Sequence, residues 1–498
     1  MSLSIPSAPI SAARFPPLSA VESSEHPRAA SRTVRFFTLA SPVIAVIALN
    51  VFGRPDLDPT LRLVASIGSF VAFIPLIIHV VRRKTELPFM PFYALLFSAY
   101  FIIPVFLDDK FSLPFSSSSI ADPVVTDSEV LILLGFAMLL IGFYVLPGAR
   151  FLEKIPRMRD GVDDETGVRT GWILVATGII VVQFRAYIPV RFQSLGQICQ
   201  QLGSLGLALL FYYYLQGRLR GPSVGVLFVL IPGMAVLDIS GGGIGPVVQH
   251  FLPVVGTYWL VRRKFLWKTA IVVALFVIPV SGVKTQFRAI AWDPESNLGV
   301  IDRCFLYGDL IRRGYETDEN FYYDSFQATM ERMNQITTLA AVQSLTPNVI
   351  PFWNGATYAD LYWSLIPRVI YADKPGKVLG QDFGHRYGLL DKFDRTTSYN
   401  FPQLVEFYAN FGAWGVGIGM LLLGFVQRLL YHALTAPDAH PSVPLFATIV
   451  LARCCNIDSD LSLVYGGLIL NITAMALILA VLRARTARLP LELLRFRW

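Results

Sequence analysis

Runs of apolar residues long enough to cross a bilayer recur along this chain, on both sides of a single long hydrophilic stretch, residues 284–401. A hydrocarbon core about 30 Å thick takes about 20 apolar residues per helix. Twelve runs approach that length: 34–52, 61–81, 87–106, 129–146, 171–189, 195–215, 224–238, 245–261, 269–283, 411–430, 443–455 and 461–482. In lipid every backbone N–H and C=O must be satisfied within its own segment, so such runs are helices. Composition agrees, since 54% of the 498 residues are hydrophobic and 15% are charged. A mean hydropathy of +0.53 excludes a soluble globular class. The expected fold is all-α, a polytopic membrane protein of about 12 helices with one large extracytoplasmic loop between the ninth and tenth.

The distribution of Lys and Arg sets the orientation. With the N-terminus in the cytoplasm, the inner loops collect Arg82, Arg83 and Lys84; Arg150, Lys154, Arg157 and Arg159; Arg218 and Arg220; and Arg262, Arg263, Lys264 and Lys268. The opposite orientation puts every cluster outside. Both termini are therefore expected in the cytoplasm. The domains follow: a tail at 1–33, helices one to nine over 34–283, the outer loop at 284–402, helices ten to twelve over 403–482, and a basic tail at 483–498. The first tail is rich in Ser, Pro and Ala, a disordered composition, and the first apolar run follows Arg32 and Arg35 as an uncleaved span. No Asn-x-Ser/Thr acceptor occurs in the outer loop, which favours a bacterial inner membrane.

The net charge of +7 is explained by these one-sided loops, so the expected partner is the bilayer and no nucleic acid. Cys199, Cys304, Cys454 and Cys455 have no C-x-x-C spacing, and the six histidines are scattered. No disulfide framework, metal centre or cofactor is expected.

The outer loop holds 12 Lys/Arg and 14 Asp/Glu, a balance that predicts a folded segment rather than a lipid anchor. Asp324-Ser325 is expected to cap a helix through about Leu345, ended by Thr346-Pro347, with a second helical piece over 357–366 stopped by Pro367. Its aromatics, among them Trp353, Tyr358, Tyr362, Trp363 and Tyr371, suit either sugar stacking or an amphipathic shelf on the bilayer. Cations gather at the outer ends of the spans. Arg185 lies about 21 Å up the fifth helix at 1.5 Å per residue; Arg191 follows it, Lys284 and Arg288 leave the ninth run, and Arg453 ends the eleventh. Arginine binds phosphate through two parallel charge-assisted hydrogen bonds. A lipid-linked pyrophosphate, with its tail in the bilayer and its sugars outside, would sit at this depth.

Three stretches carry a family resemblance: Thr346 to Phe352, the segments Ile366-Pro367-Arg368 and Asp373-Lys374-Pro375, and Glu406 to Gly412 running into a Gly-rich span. Together they resemble the Wzy-type O-antigen polymerases, which join oligosaccharide repeat units. That family's Arg-x10-Gly and Arg-x15-Gly signatures match Arg185 with Gly196 and Arg368 with Gly384. The resemblance implies undecaprenyl-pyrophosphate-linked glycans as substrate and a chain-length regulator as partner. It also implies Arg185, Arg191, Arg288, Arg368 and Arg453 around the pyrophosphate, with transfer by inversion and no metal. The general base is open between Glu406, placed at the membrane mouth, and His385. Tyr399-Asn400 stands where the related ligases carry His-Asn. Two other readings stay in view. Asp56 and Asp58 suit a polyprenyl-phosphate-sugar glycosyltransferase, and a broken helix at Gly241–Gly243 suits a lipid-linked oligosaccharide flippase.

Overall fold

A computed structural model describes residues 32–82, 87–107, 111, 120–158, 167–184, 188–189, 192–242, 244–264, 267–293, 295–296, 298–366, 371, 379–394, 397–436, 439–440, 442–469, 472–473 and 476. Every regular element among them is helical. Five helices are long and apolar enough to cross a membrane: Pro59–Val81, Phe89–Leu107, Asp122–Tyr144, Pro222–Ser240 and Gln403–Leu434. Ile271–Gly282 and Lys284–Ala291, bent by 54° to each other, reach that length and hydropathy only when taken together, as a broken span or a re-entrant loop. Pro279 lies in the last turns before that bend, where it removes a helix hydrogen bond. Of the other expected runs, some are shorter apolar helices, such as Phe36–Phe52 and Ser442–Cys454, 245–261 lies in the helix Ile244–Arg262, and the last runs beyond the described residues after 476.

Between helices in lipid, close packing drives association, and small residues permit it. Gly167–Gln183 and Gln193–Leu215 form an antiparallel hairpin in which Gly203 faces Gly178, and Gly206 faces the backbone of Gly171 and Val175. Asp122–Tyr144 runs parallel to the second half of Gln403–Leu434, with Gly142 on the Leu421 carbonyl and Gly424 on that of Leu139. A larger side chain at either glycine meets backbone, which cannot step aside. On the other flank Phe97 stacks on Phe136 at 4.5 Å between ring centres. Outward-facing residues such as Phe36, Ile47, Val229 and Phe276 are apolar and exposed, as lipid-facing positions are.

Two expectations for the outer stretch need correction. The single helix from Asp324 to Leu345 is two helices, Phe321–Met333 and Ile336–Leu345. Asn334 turns extended (φ −69°, ψ 94°), and its Oδ1 accepts Thr337 N–H at 3.2 Å, starting the second helix. An Asn side chain competes with the helix ladder in this way. The second of these helices packs into the main core. Ile336, Leu339, Ala340, Ala341 and Val342 are fully buried in the main core, and Ser128 Oγ donates to Gln343 Oε1 from the neighbouring Asp122–Tyr144 helix. The later piece is shorter than expected: a 3-10 turn Ala356–Tyr358, then Ala359–Ser364. Pro367 lies outside the described residues.

The expected span at 411–430 begins earlier and is broken. Within Gln403–Leu434, Phe411 (φ −141°, ψ 16°) and Gly412 (φ 63°, ψ −151°) leave helical geometry. The chain folds back so far that Gly415 lies on the Phe407 carbonyl and Gly419 on the Phe407 ring. The Gly-rich run is thus the seat for a preceding half-helix, residues 403–410.

Candidate anion-binding site

The bend after Gly282 turns Lys284 and Arg288 toward the Phe321–Met333 helix. There Arg332 Nη1 donates to the Ser281 carbonyl at 2.6 Å and to Ser281 Oγ at 3.2 Å, while Nη2 donates to Thr285 Oγ1 at 2.8 Å. A guanidinium on the last carbonyls of a helix satisfies orphan acceptors and suits the dipole, so Arg332 clamps the bend. Arg288 donates through Nε and Nη2 to the Gly242 carbonyl at 3.2 and 3.1 Å and lies 4.5 Å over the Trp292 ring. Lys284 is in electrostatic reach of both guanidiniums and of Asp458. Among the described residues its ammonium has no hydrogen-bond or ion-pair partner. Tyr307 stacks on Phe287 at 3.8 Å; burial raises its hydroxyl above the usual range, and Arg288 and Arg332 pull it down.

Asp458 is the carboxylate facing this group. Burial raises it above the ordinary carboxylate range, with Lys284 acting in the other direction. It accepts from Asn400 Nδ2 at 3.1 Å, and Tyr100 lies within its field. Asp458-Ser459-Asp460 is a loop held by side-chain hydrogen bonds. Asp460 Oδ1 accepts from Ser462 Oγ at 2.6 Å and Leu463 N at 2.8 Å, capping the last helix. Lys284, Arg288 and Arg332 thus cluster at the bend, with Asp458 acting on Lys284 and Glu331 on Arg332, three cations beside two carboxylates. Such a surplus of positive charge suits an anion with several oxygens.

Of the five arginines expected at the pyrophosphate, Arg288 belongs to this cluster. Arg453 donates through Nη2 to the Leu463 carbonyl at 3.3 Å, and its Nε has no partner among the described residues. Arg185, Arg191 and Arg368 lie outside the described residues. Gly196 falls in the first turn of Gln193–Leu215. Gly384 packs under Leu390 and Tyr399, a position where any Cβ would collide.

Glu406 does not open onto a membrane mouth. It is fully buried on the half-helix, its Oε1 accepting from Thr357 Oγ1 at 2.7 Å and its Oε2 from Leu461 N at 2.8 Å. Asn410, one turn on, donates to Thr357 Oγ1 at 2.9 Å and accepts from Gly355 N at 2.7 Å. The half-helix therefore ties the 353–358 turn to the start of the last helix. His385 Nε2 is enclosed and has no partner among the described residues. Beside it Arg386 lies 4.4 Å over the Trp353 ring and donates to the Pro351 carbonyl at 2.8 Å. Asp58 caps Pro59–Ala72 through Thr60 N and Leu61 N, and Asp56 pairs with Arg54 at 2.9 Å; both carboxylates serve local structure.

Sequence reasoning missed Arg332. No pattern marks it, because its role depends on a helix bend about fifty residues away in the chain. Fold and site define an all-helical protein with several apolar helices of membrane-spanning length and a cluster of three cations at the bend of an apolar helix. Comparison with protein-family models, with curated proteins and with solved structures finds no match to this chain.

Proposed function

We propose that this protein elongates lipid-pyrophosphate-linked oligosaccharides at the outer face of a bacterial inner membrane, as the Wzy-type resemblance implies. The reading includes twelve spans, both termini in the cytoplasm, and residues 284–402 facing outward. The observation that carries it is the Lys284–Arg288–Arg332 cluster, three cations beside two carboxylates at the bend of an apolar helix. In the reaction the acceptor's sugar hydroxyl bonds to the donor's anomeric carbon. The anomeric C–O bond breaks, and its electron pair leaves on the pyrophosphate. Preorganised cations stabilise that developing charge, and the hydroxyl proton passes to a base. Both Glu406 oxygens are engaged, so Glu406 acts as a positioning residue, and His385, with an unengaged Nε2, is the better candidate base.

One observation favours a second reading, a lipid-linked oligosaccharide transporter. The break at Gly412 and the 54° bend are discontinuous helices of the kind transporters use at substrate sites. Deleting the gene and analysing lipid-linked glycans separates the two. Single repeat units exposed on the outer face support polymerisation. Units retained on the inner face support transport, and full-length chains held on lipid indicate ligation. Unchanged glycans refute the proposal.

A further inference from the structure

Glu129 stands two turns into the Asp122–Tyr144 helix, about 10 Å from its start at 1.5 Å per residue. It is fully buried, and neither carboxyl oxygen has a hydrogen-bond partner among the described residues. Its carboxyl lies between Pro59–Ala72 and Phe89–Leu107, where a carbon added at Gly68 would stand 3.4 Å from both Glu129 Oε1 and Ile102 Cδ1.

No charged group compensates it among the described residues. On its own helix Asp122 and Asp127 are exposed and Tyr144 is at the far end. On Pro59–Ala72, Arg62 donates to the Arg54 and Pro55 carbonyls. On Phe89–Leu107, Tyr93 meets Gln427 and Tyr100 lies in the field of Asp458. On Gln403–Leu434, Glu406 is engaged, and Tyr408 and Tyr431 donate to the Thr346 and Leu87 carbonyls. Further along that helix Arg428 lies over Phe143 and Tyr431, and Arg157 holds His432. Ile336–Leu345 carries no titratable residue. A charge enclosed without a partner is so costly that a carboxyl takes up a proton instead. In the packed protein Glu129 is therefore a neutral acid.

Glu129 also stands behind both attachments of the Ile336–Leu345 helix. Its neighbour Ser128 donates to Gln343 Oε1. Two residues before Ile102, the Tyr100 carbonyl accepts from Gln335 N at 2.9 Å. Arg332, the clamp of the bend, lies one turn before Gln335.

We propose that Glu129 is a proton-binding site, filled while these helices are packed, whose emptying loosens Ile336–Leu345 and with it the segment that carries Arg332. When the packing opens, the carboxyl meets water and ionises near its ordinary value of about 4.3. Above that pH each opening releases one proton, so the equilibrium constant for opening rises by up to about tenfold per pH unit. The rise ends where the packed state itself loses the proton, which for buried glutamates reaches about pH 8–9. The packed state is thus firmest at acid pH and weakens as pH rises. None of this depends on glycosyl transfer, because only helix packing is involved.

The test is hydrogen exchange of the full chain in phosphatidylcholine nanodiscs, read by mass spectrometry between about pH 6 and 8, for wild type and Glu129→Gln. The amide keeps the size and stays neutral, and the ratio of the two rates cancels the intrinsic rise of exchange with pH. Over residues 336–345 that ratio should climb by up to about tenfold per pH unit, while over the Gly167–Gln183 helix it stays flat. If Glu129→Gln does not fold, the rate over 336–345 relative to that over 167–183 within the wild-type chain decides. A ratio independent of pH would mean that the carboxyl has no proton to release. A rise shared equally by 167–183 would make the effect global unfolding. Either result overturns the proposal.

Discussion

Replacing Glu406 by Gln separates anchoring from catalysis. The carboxyl of Glu406 joins three segments, accepting from Thr357 Oγ1 at 2.7 Å and from Leu461 N at 2.8 Å at full burial. An amide keeps the shape but has one accepting oxygen. One of the two donors then faces an NH₂ group and is left unsatisfied, at a cost of about 1–3 kcal/mol. Glu406→Ala orphans both donors and opens a cavity, so it should cost more than Gln. Thr357→Val removes the same link from the other side. Since the two groups are in contact, the double variant should be non-additive by about 0.5–3 kcal/mol. The measurement is thermal unfolding of the purified protein in detergent, set beside glycan chain length in cells grown warm and cool. Stability and elongation should fall together, with elongation returning at the lower temperature. A Glu406→Gln protein as stable as wild type yet without elongation at any temperature would refute the anchoring argument and make Glu406 the base.

Further outcomes follow from the same contacts. Lys284→Ala, which loses no hydrogen bond among the described residues, should leave unfolding within about 0.5 kcal/mol while reducing elongation; wild-type chain lengths would remove the cluster from the mechanism. Arg332→Ala should cost both stability and activity, with Arg332→Lys restoring activity in part because the charge remains and the planar fork does not. Gly412→Ala places a Cβ at φ 63°, ψ −151° and 3.2 Å from the Phe352 ring, so about 1–3 kcal/mol of strain should appear as a lower unfolding temperature. Burial raises Asp458, so the folded protein holds that proton to higher pH than the unfolded chain. Its contribution to stability is complete at acid pH and is lost as pH rises from the ordinary carboxylate range through the raised value. Asp458→Asn should flatten that slope, and an unchanged slope would assign it elsewhere.

Several features were legible in the sequence alone. Apolar runs at 61–81, 87–106 and 129–146 became helices of membrane length, because in hydrocarbon the backbone has no other way to satisfy itself. In the Gly-rich span Gly415 and Gly419 admit Phe407 closely, while Gly412 is the break itself.

Tertiary structure decided the rest. Nothing near Glu406 in the chain announces that Thr357 and Leu461 will meet it, so an acid at a span end reads equally as a base or as an anchor. Arg332 gains its role only when the chain bends at Gly282 and presents Ser281 and Thr285 to it. The helix Ile336–Leu345 sits in a stretch that is hydrophilic on average, yet five of its residues are fully buried. Hydropathy averaged along a chain measures what a segment prefers by itself. Burial and charge pairing depend on which segments close packing brings together, and that is a property of the assembled helices.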